Sequence, residues 1–404
     1  MRIIADLQIH SKHARATSKN ISIENLEKYA RIKGLSLLGT GDFQHPLHRK
    51  EIDEKLSEDS KGILRTKNNF PFIWQTEVSL MFSQGGKKRA VHLLIFSPNT
   101  ITTNKITSYL ATKGRLDYDG RPIFGIPCSQ LVKDLKSIHN SIEIIPAHCM
   151  TPWFGLFGSD SGFDSIEECF QDQTKHIHAI ESGMSANPKM LWRLKEKINI
   201  VSFSDAHSFW PWRLGREATS FDLEELTYTN IITAIRTGNT LTATIETPPS
   251  YGKYHYDGHR NCNFSSSPEE TKSHNAICPI CKNPLTIGVQ NRIEQLAKAP
   301  ESFTPENAKP FHELIPLHEL IATIENTTIE SKKTWQTYNE LIEKFNNELN
   351  ILLNISKEEM IKNKVNEKLT EIILLSRKNK LKIKPGFDGQ YGIVQIPEKQ
   401  ATLF

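Results

Sequence analysis

Short apolar runs alternate with amphipathic stretches over the first 245 residues of the chain. The runs are rich in Val, Ile, Leu and Phe, which is typical of buried strands. The stretches at residues 23–34, 129–140 and 188–197 instead place apolar side chains at helical spacing. Strands that alternate with helices favour an α/β fold with a parallel sheet. The predicted strands lie within residues 3–7, 35–42, 72–80, 91–97, 142–148, 178–183 and 199–207.

The pattern changes after residue 245. Residues 246–298 are loop-rich and contain three of the six cysteines. A helical pattern follows, in which one apolar face runs from Trp335 to Leu352 and a second from Met360 to Ile373. The Gly-rich residues 385–396 indicate a hairpin. We therefore expect four segments, with bounds at residues 1–245, 246–298, 299–384 and 385–404.

Most of the predicted strands end in, or contain, a polar side chain that can bind a metal. Barrels of parallel strands collect such residues at the carboxyl ends of the strands. A mixture of imidazoles and carboxylates suits Zn, Mn or Fe better than Ca. Several adjacent metals would favour hydrolysis of a phosphoester. The alternative is that each residue is separately solvated or caps a helix. The candidates are Gln8, His10, Asp42, Glu77, His92, His148, Glu181, Asp205 and His207.

A second set of metal ligands is predicted in the loop-rich segment. His259 and Cys262 are separated by two residues, as are Cys278 and Cys281. Pairs at this spacing form knuckles around a tetrahedral zinc ion, and three thiolates with one imidazole make a closed site. We expect a purely structural zinc. His255 and His274 are the alternatives to His259 as the fourth ligand.

Composition narrows the class of protein only slightly. The chain has 404 residues, of which 38% are hydrophobic, and a net charge of +4. That charge neither requires nor excludes a nucleic-acid partner. No apolar run approaches the length of a membrane span, and the first residues do not resemble a signal region. We expect a cytoplasmic protein without a membrane partner.

The polar strand ends form recognisable motifs. DLQIH (6–10), TGD (40–42), TEV (76–78), VHLLIF (91–96), PAH (146–148) and SDAH (204–207) resemble the ordered motifs of the polymerase and histidinol phosphatase (PHP) superfamily. Longer stretches, SKHARATSK (11–19), GTGDFQHP (39–46), PAHCMTPW (146–153) and SDAHS…RLGRE (204–217), resemble the endonuclease Q family. The resemblance implies a distorted (β/α)7 PHP barrel, a zinc-binding insert, a helical DNA-binding region and a Gly-rich hairpin tail.

The resemblance also implies an activity. Endonuclease Q proteins nick double-stranded DNA on the 5′ side of hypoxanthine, uracil, xanthine and abasic sites. Two or three divalent metals, Zn, Mn or Mg, are then expected in the barrel. Asp205 lies in the motif that supplies the family's essential carboxylate. The implied metal ligands are Gln8, His10, Asp42, Glu77, His92, His148, Asp205 and His207.

Gln8 departs from the motif of the superfamily, which begins with His-x-His. An amide oxygen is a weak, neutral ligand, so one metal is expected to bind weakly or to be absent. This departure leaves a catalytically impaired DNA-binding module as one alternative function. A PHP-type phosphatase acting on a small phosphomonoester is another, although such a substrate requires neither a zinc insert nor a helical region.

Two further groups of residues are candidates for binding. Arg15 and Lys19 follow the first motif and would hold DNA phosphates; the alternative is ordinary surface charge. The sequence QATLF (400–404) resembles the ligands of bacterial sliding clamps, in which Gln400, Leu403 and Phe404 would fill the pockets. The alternative is a frayed chain end.

Overall fold

The computed structural model describes residues 1–395. Fourteen helices are present in this part of the chain: α1 Ile23–Lys33, α2 Pro46–Lys55, α3 Thr100–Ala111, α4 Cys128–Ile138, α5 Ile166–Phe170, α6 Pro188–Trp192, α7 Tyr228–Thr237, α8 Pro268–Ser273, α9 Val289–Leu296, α10 Leu317–Glu325, α11 Lys332–Phe345, α12 Glu348–Leu353, α13 Lys357–Lys362 and α14 Glu367–Arg377. Within residues 1–395, none of the helices has the length and apolar character needed to span a membrane.

The strands of the same part of the chain are β1 Arg2–Asp6, β2 Leu37–Gly39, β3 Ser57–Glu58, β4 Leu64–Arg65, β5 Pro71–Gln84, β6 Lys87–Ser97, β7 Ile123–Phe124, β8 Glu143–Pro146, β9 Ala179–Glu181, β10 Asn199–Val201, β11 Ala218–Asp222, β12 Leu241–Glu246, β13 Asp257–His259, β14 Phe264–Ser266, β15 Phe311–Glu313, β16 Lys382–Lys384 and β17 Ile393–Gln395. Each apolar run predicted as a strand overlaps one of these strands. The mixed α/β class is therefore confirmed.

Local sequence signals set the bounds of α1. The hydroxyl of Ser22 accepts a hydrogen bond from the Asn25 N–H and caps the first turn. Gly34 ends the helix with a φ of 100°, a left-handed conformation that glycine adopts without a steric cost. The predicted helix at residues 188–197 is shorter in the structure. It ends at Trp192, and Lys195 has a positive φ of 55°.

The sheet is mixed, so the prediction of a parallel sheet was wrong in part. β1, β2 and β5 pair in parallel, but β5 and β6 form a long antiparallel hairpin, and β8 pairs antiparallel with β6. Gly85 and Gly86, with φ of 62° and 74°, make the hairpin turn. Two glycines between extended runs are the sequence signal for such a turn.

A ring of strands follows from these pairings and from three shorter connections. The Cys149 N–H donates to the Glu181 carbonyl, which links the end of β8 to β9. β9 and β10 pair in parallel. The His10 N–H donates to the Ala206 carbonyl at 3.0 Å, which links the residues after β10 to those after β1. The chain thereby brings the ends of β1, β2, β8, β9 and β10 around one centre.

The two long apolar faces predicted in the C-terminal region are each divided between two helices. Asn346, with a φ of 73°, separates α11 from α12, and Lys364, with a φ of 57°, separates α13 from α14. These breaks correct the prediction of two continuous helices. They allow the shorter helices to pack around Leu320, Leu341 and Ile373, which are buried.

The C-terminal helices pack against the first part of the chain through one continuous core. A buried ion pair lies at this contact, where the ammonium group of Lys33 at the end of α1 is 2.7 Å from Glu348 of α12. Glu348 also accepts hydrogen bonds from the Tyr338 hydroxyl and the Leu317 N–H. Because every member of this buried network has a partner, it fixes how the two parts meet.

Candidate metal centre

Glu77 lies at the centre of the predicted ligand set. Its Oε2 is 3.0 Å from His10 Nε2, and its Oε1 is 2.6 Å from His92 Nδ1 and 3.5 Å from His148 Nε2. Arg121 approaches the same carboxylate, with Nη1 3.3 Å from Oε1. The structure therefore joins residues from two strands and three loops at one fully buried carboxylate.

Two groups of potential ligands meet there. His10, Asp205 and His207 form one group, and Glu77, His92 and His148 form the other. Within each group the ligand atoms all lie within 4.8 Å of one another. His92 Nδ1 and His148 Nε2 are 3.1 Å apart, close enough for both nitrogens to contact one ion. The donor set thus fits a pair of divalent metals of the zinc or manganese type.

The remaining predicted ligands border these groups. Asp42 Oδ1 lies 3.0 Å from His10 Nδ1, and its Oδ2 accepts the Ser11 N–H. Gln8 donates from Nε2 to Glu77 Oε2 at 2.8 Å, while its Oε1 is buried without a hydrogen-bond partner among the described residues. Glu181 accepts the His148 N–H, and it lies behind the centre rather than within either group.

Electrostatics at the centre favour a cation. Burial opposes a charge on His10, yet Asp42, Asp205 and Glu77 raise its pKa well above its usual value. Burial also opposes ionisation of Asp205, but His207 and His10 lower its pKa below the usual value. Burial lowers the pKa of His92 to about 3, which keeps this imidazole neutral and able to act as a ligand.

Three of the predicted ligands have a left-handed backbone. Asp42, His148 and Asp205 have φ of 33°, 31° and 48°, a region that residues other than glycine rarely adopt. Each such residue stores about 1–3 kcal/mol of strain, which persists only where the surroundings enforce it. Asp42, His148 and Asp205 lie two to four residues after the ends of β2, β8 and β10, and their side chains reach the centre.

A cleft of about 660 Å³ opens from the metal centre to the surface. His92, His148, Asp205 and His207 line its inner end. The outer part is lined by aromatic and basic side chains, namely Trp153, Arg213, Arg216, Lys253, Tyr254 and Tyr391. The Trp153 and Tyr254 rings meet edge to face, with centroids 5.6 Å apart.

The predicted zinc ligands also come together. His259, Cys262, Cys278 and Cys281 form a group whose ligand atoms lie within 4.8 Å of one another. His259 ends β13, and its Nδ1 is 3.4 Å from Cys281 Sγ. Neither alternative histidine belongs to the group: His255 is stacked on Tyr256, and His274 packs edge to face on Phe264.

The chain is similar in sequence to a known domain family and to two uncharacterised proteins. Residues 316–380 match the family described as the MJ0043 C-terminal domain. The uncharacterised protein MJ0043 of Methanocaldococcus jannaschii is 34% identical over 260 residues, which are 62% of this chain. The chain covers only 32% of the length of that protein. The uncharacterised protein YqxK of Bacillus subtilis is 24% identical over 98% of this chain and 99% of its own length.

Two solved structures match almost the whole chain. The lesion-specific endonuclease PfuEndoQ from Pyrococcus furiosus has a TM-score of 0.88 and 30% identity over 100% of this chain and 98% of its own. This chain belongs to the endonuclease Q family. An endonuclease Q bound to a 27-mer duplex substrate with an abasic lesion at the active site matches with the same score and identity over 99% of this chain and 98% of that chain.

Arg15 and Lys19 lie outside both ligand groups of the metal centre. Arg15 is largely exposed and pairs with Asp119 at 3.2 Å, and Lys19 donates to the Lys12 carbonyl at 3.3 Å. The Ser18 N–H donates to the His207 carbonyl, which holds this segment beside the metal centre. Neither side chain lines the cleft. Their role in binding phosphate stays a prediction.

Several residues of this endonuclease Q site were missed by the sequence reasoning. Arg121, which contacts Glu77, lies in no motif. Lys253 and Tyr391 come from segments far apart in sequence, and only the tertiary structure brings them to the cleft. Arg213 and Arg216 had a signal, because both belong to the RLGRE stretch that resembles the family.

Substitution of Gln8 by histidine is expected to tighten metal binding. An imidazole is a stronger ligand than an amide oxygen, so the affinity for the most weakly held metal should rise about tenfold or more. Metal content after dialysis and titration calorimetry with Mn or Zn would measure the change. Gln130→His, at an exposed position of α4, is the matched control. Equal affinity in Gln8→His and the parent chain would contradict the expected weakness of this position.

A cluster of buried carboxyls behind the centre predicts how stability depends on pH. Burial raises the pKa of Glu217 to about 8, although the Thr247 N–H and the Ser202 hydroxyl bond to it. The folded protein thus holds a proton that the unfolded chain releases above about pH 4.5. The contribution of Glu217 to the free energy of unfolding should therefore fall between pH 4.5 and 8, by a few kcal/mol.

Urea unfolding at pH 5, 6.5 and 8 measures this dependence. Glu217→Gln cannot ionise, so the fall over this range should be smaller, although the buried carboxyls Glu181 and Glu246, whose pKa values are also raised, keep part of it. The same slope in the variant and in the parent chain would show that Glu217 is not the group that titrates.

Proposed function

We propose that this chain is a metal-dependent endonuclease that cuts double-stranded DNA 5′ of a damaged base. The observation that carries the proposal is the meeting of two ligand groups at Glu77, beside a cleft open to the surface. Membership of the endonuclease Q family supports it. The solved relatives are described as a lesion-specific endonuclease and as a complex with an abasic duplex substrate.

The residues of the centre have distinct roles in this proposal. His10, Asp205 and His207 would hold one metal, and Glu77, His92 and His148 a second, with Asp42 and Gln8 at their edge. Bound Zn, Mn or Mg would supply positive charge for the attacking and leaving oxygens of the phosphodiester. Arg121 balances part of the charge of Glu77 and orients it. Asp205 is partly exposed and is the carboxylate that lines the cleft, so it would lie nearest to substrate.

We further propose that the ring of β1, β2, β5, β6, β8, β9 and β10 is the distorted (β/α)7 PHP barrel of the family. The hydrogen-bonded path around these strands supports this assignment. The insert would hold one structural zinc through three thiolates and His259, since the four ligand atoms all lie within 4.8 Å of one another. The expected domain bounds also remain proposals.

Recognition of the lesion would occur in the cleft. Its volume of about 660 Å³ is within the usual range for small-molecule sites, so it has room for a nucleoside turned out of the duplex. The exposed Trp153 and its neighbour Tyr254 offer aromatic surfaces to such a base. A weakly paired base costs less to extrude, which would favour hypoxanthine, xanthine, uracil and abasic positions.

The experiment is a nicking assay on labelled duplexes with one abasic site, one deoxyinosine or no lesion, supplied with Mg, Mn or Zn. We expect a single cut immediately 5′ of the lesion and none in the undamaged duplex. Hydrolysis of a simple phosphomonoester without any nicking would instead support the phosphatase alternative. Binding of the damaged duplex without a cut under any metal would support the impaired module that Gln8 suggests.

The location of the protein and its binding to a sliding clamp remain expectations. Gln400, Leu403 and Phe404 lie outside the described residues.

A further inference from the structure

Arg216 is a buried cation without a carboxylate partner. It is only 9% exposed, and its Nε and Nη2 donate to the Ser204 carbonyl at 3.1 and 3.0 Å. Among residues 1–395, no carboxylate oxygen lies within ion-pair distance of its guanidinium. Burial of an unpaired charge is costly, so a protein retains one where an anion binds or where the charge performs a task.

The remaining donors of Arg216 point to the cleft side. Its Nη1 lies 3.5 Å from the Tyr391 hydroxyl. Two further cations surround the same ring, with the Lys253 ammonium 4.8 Å and the Arg213 guanidinium 5.6 Å from its centroid. Arg213 is paired with Glu319, but Lys253 is exposed and has no carboxylate partner within residues 1–395. This side of the cleft therefore has an excess of positive charge.

The Gly-rich tail holds Tyr391 in this position. The Gly386 N–H donates to the Ser250 carbonyl and the Gly392 N–H to the Tyr251 carbonyl, both at 2.9 Å. A Cβ atom at Gly392 would lie 2.3 Å from the Ser250 oxygen, so only glycine allows the tail to approach this closely. The tail therefore lies directly on the segment that carries Lys253.

The tail is also fixed to the zinc-binding insert. Asp388 accepts the Arg260 N–H at 2.7 Å and the Thr286 hydroxyl at 2.8 Å. Arg260 lies between His259 and Cys262 of the proposed zinc site. Three separate parts of the chain thus bring the cationic groups and the tyrosine to one side of the cleft. Asp205 is the one carboxylate among the residues that line the cleft.

We propose that Arg213, Arg216, Lys253 and the Tyr391 hydroxyl form a second phosphate-binding site, for a backbone phosphate that neighbours the scissile one. The proposal rests on the proposed function, because it assumes that the scissile phosphate lies at the metal centre. Charged donors bind a phosphodiester through short, charge-assisted hydrogen bonds. The site would fix the register of the strand, so that the bond presented to the centre is the one next to the lesion.

The test measures how a neutral phosphate in the DNA and a substitution in the cleft together change the binding affinity. Asp205→Asn protein, which should not cut, is titrated with abasic duplexes in which one phosphate near the lesion at a time is a neutral methylphosphonate. Lys253→Gln and Tyr391→Phe are compared in that background, with Lys105→Gln on α3 as the matched control, since Lys105 does not line the cleft. Arg216 is left unchanged because its bonds to Ser204 support the fold.

We expect one methylphosphonate position that weakens binding about tenfold in the parent and in Lys105→Gln, but clearly less in Lys253→Gln, in which Arg213 and Arg216 remain. Tyr391→Phe should show the same loss of sensitivity in part. If the loss of affinity from each methylphosphonate simply adds to the loss from each variant at every position, the second phosphate site is wrong. Nicking of the unmodified duplex by the unsubstituted chain is scored separately, so a failure of the endonuclease activity is distinguishable from a failure of this site.

Discussion

Replacement of Asp205 by asparagine is expected to abolish DNA cutting while leaving DNA binding largely intact. The Asp205 carboxylate lies 3.1 Å from His10 Nε2 and 3.7 Å from His207 Nδ1, and it lines the cleft where substrate enters. An amide keeps the size of the side chain but removes the negative charge that a metal requires. We expect the rate to fall by on the order of a thousandfold.

Asparagine is the appropriate substitution because of the backbone. Asp205 has a φ of 48°, a left-handed conformation that asparagine tolerates better than most residues. Alanine at this position would add strain to the loss of the ligand, and the two effects would be hard to separate.

Single-turnover nicking and fluorescence anisotropy would measure cutting and binding. Asp222→Asn, at an exposed position of β11, is the matched control and should cut normally. Undiminished cutting by Asp205→Asn would exclude the proposed role of this carboxylate.

Loss of one zinc per chain is the expected result of Cys281→Ser. Structural zinc contributes about 10–16 kcal/mol to the folding of small zinc domains, so removal of one thiolate should destabilise the insert strongly. The insert holds the tail through Asp388, and the tail holds Tyr391 at the cleft. We therefore expect DNA binding to weaken by about tenfold or more.

Zinc content after dialysis and the affinity for an abasic duplex test this result. A matched pair of histidine substitutions makes the test sharper. His259→Gln should lose zinc as Cys281→Ser does, whereas His274→Gln should retain it, because His274 lies outside the ligand group. Retention of zinc by both Cys281→Ser and His259→Gln would rule out the proposed ligand set.

The sequence determined the local elements and most of the candidate ligands of this protein. The seven strands β1, β2, β5, β6, β8, β9 and β10 were recognisable because their runs are largely apolar. His10, His148 and Asp205 were recognisable because they follow such runs directly. The CPIC knuckle was recognisable because two cysteines at that spacing are typical of structural zinc sites. These features depend on neighbours in the chain, and so the order of residues expresses them.

Only the tertiary structure decided the features that depend on distant residues. The antiparallel direction of β6 follows from its pairing with β5 and β8. The breaks at Asn346 and Lys364 follow from how the C-terminal helices pack. The choice of His259 over His255 and His274 depends on which ring lies near the three sulfurs. The cationic side of the cleft unites Arg216, Lys253 and Tyr391, and no local pattern relates them, because contacts between distant segments form only when the whole chain folds.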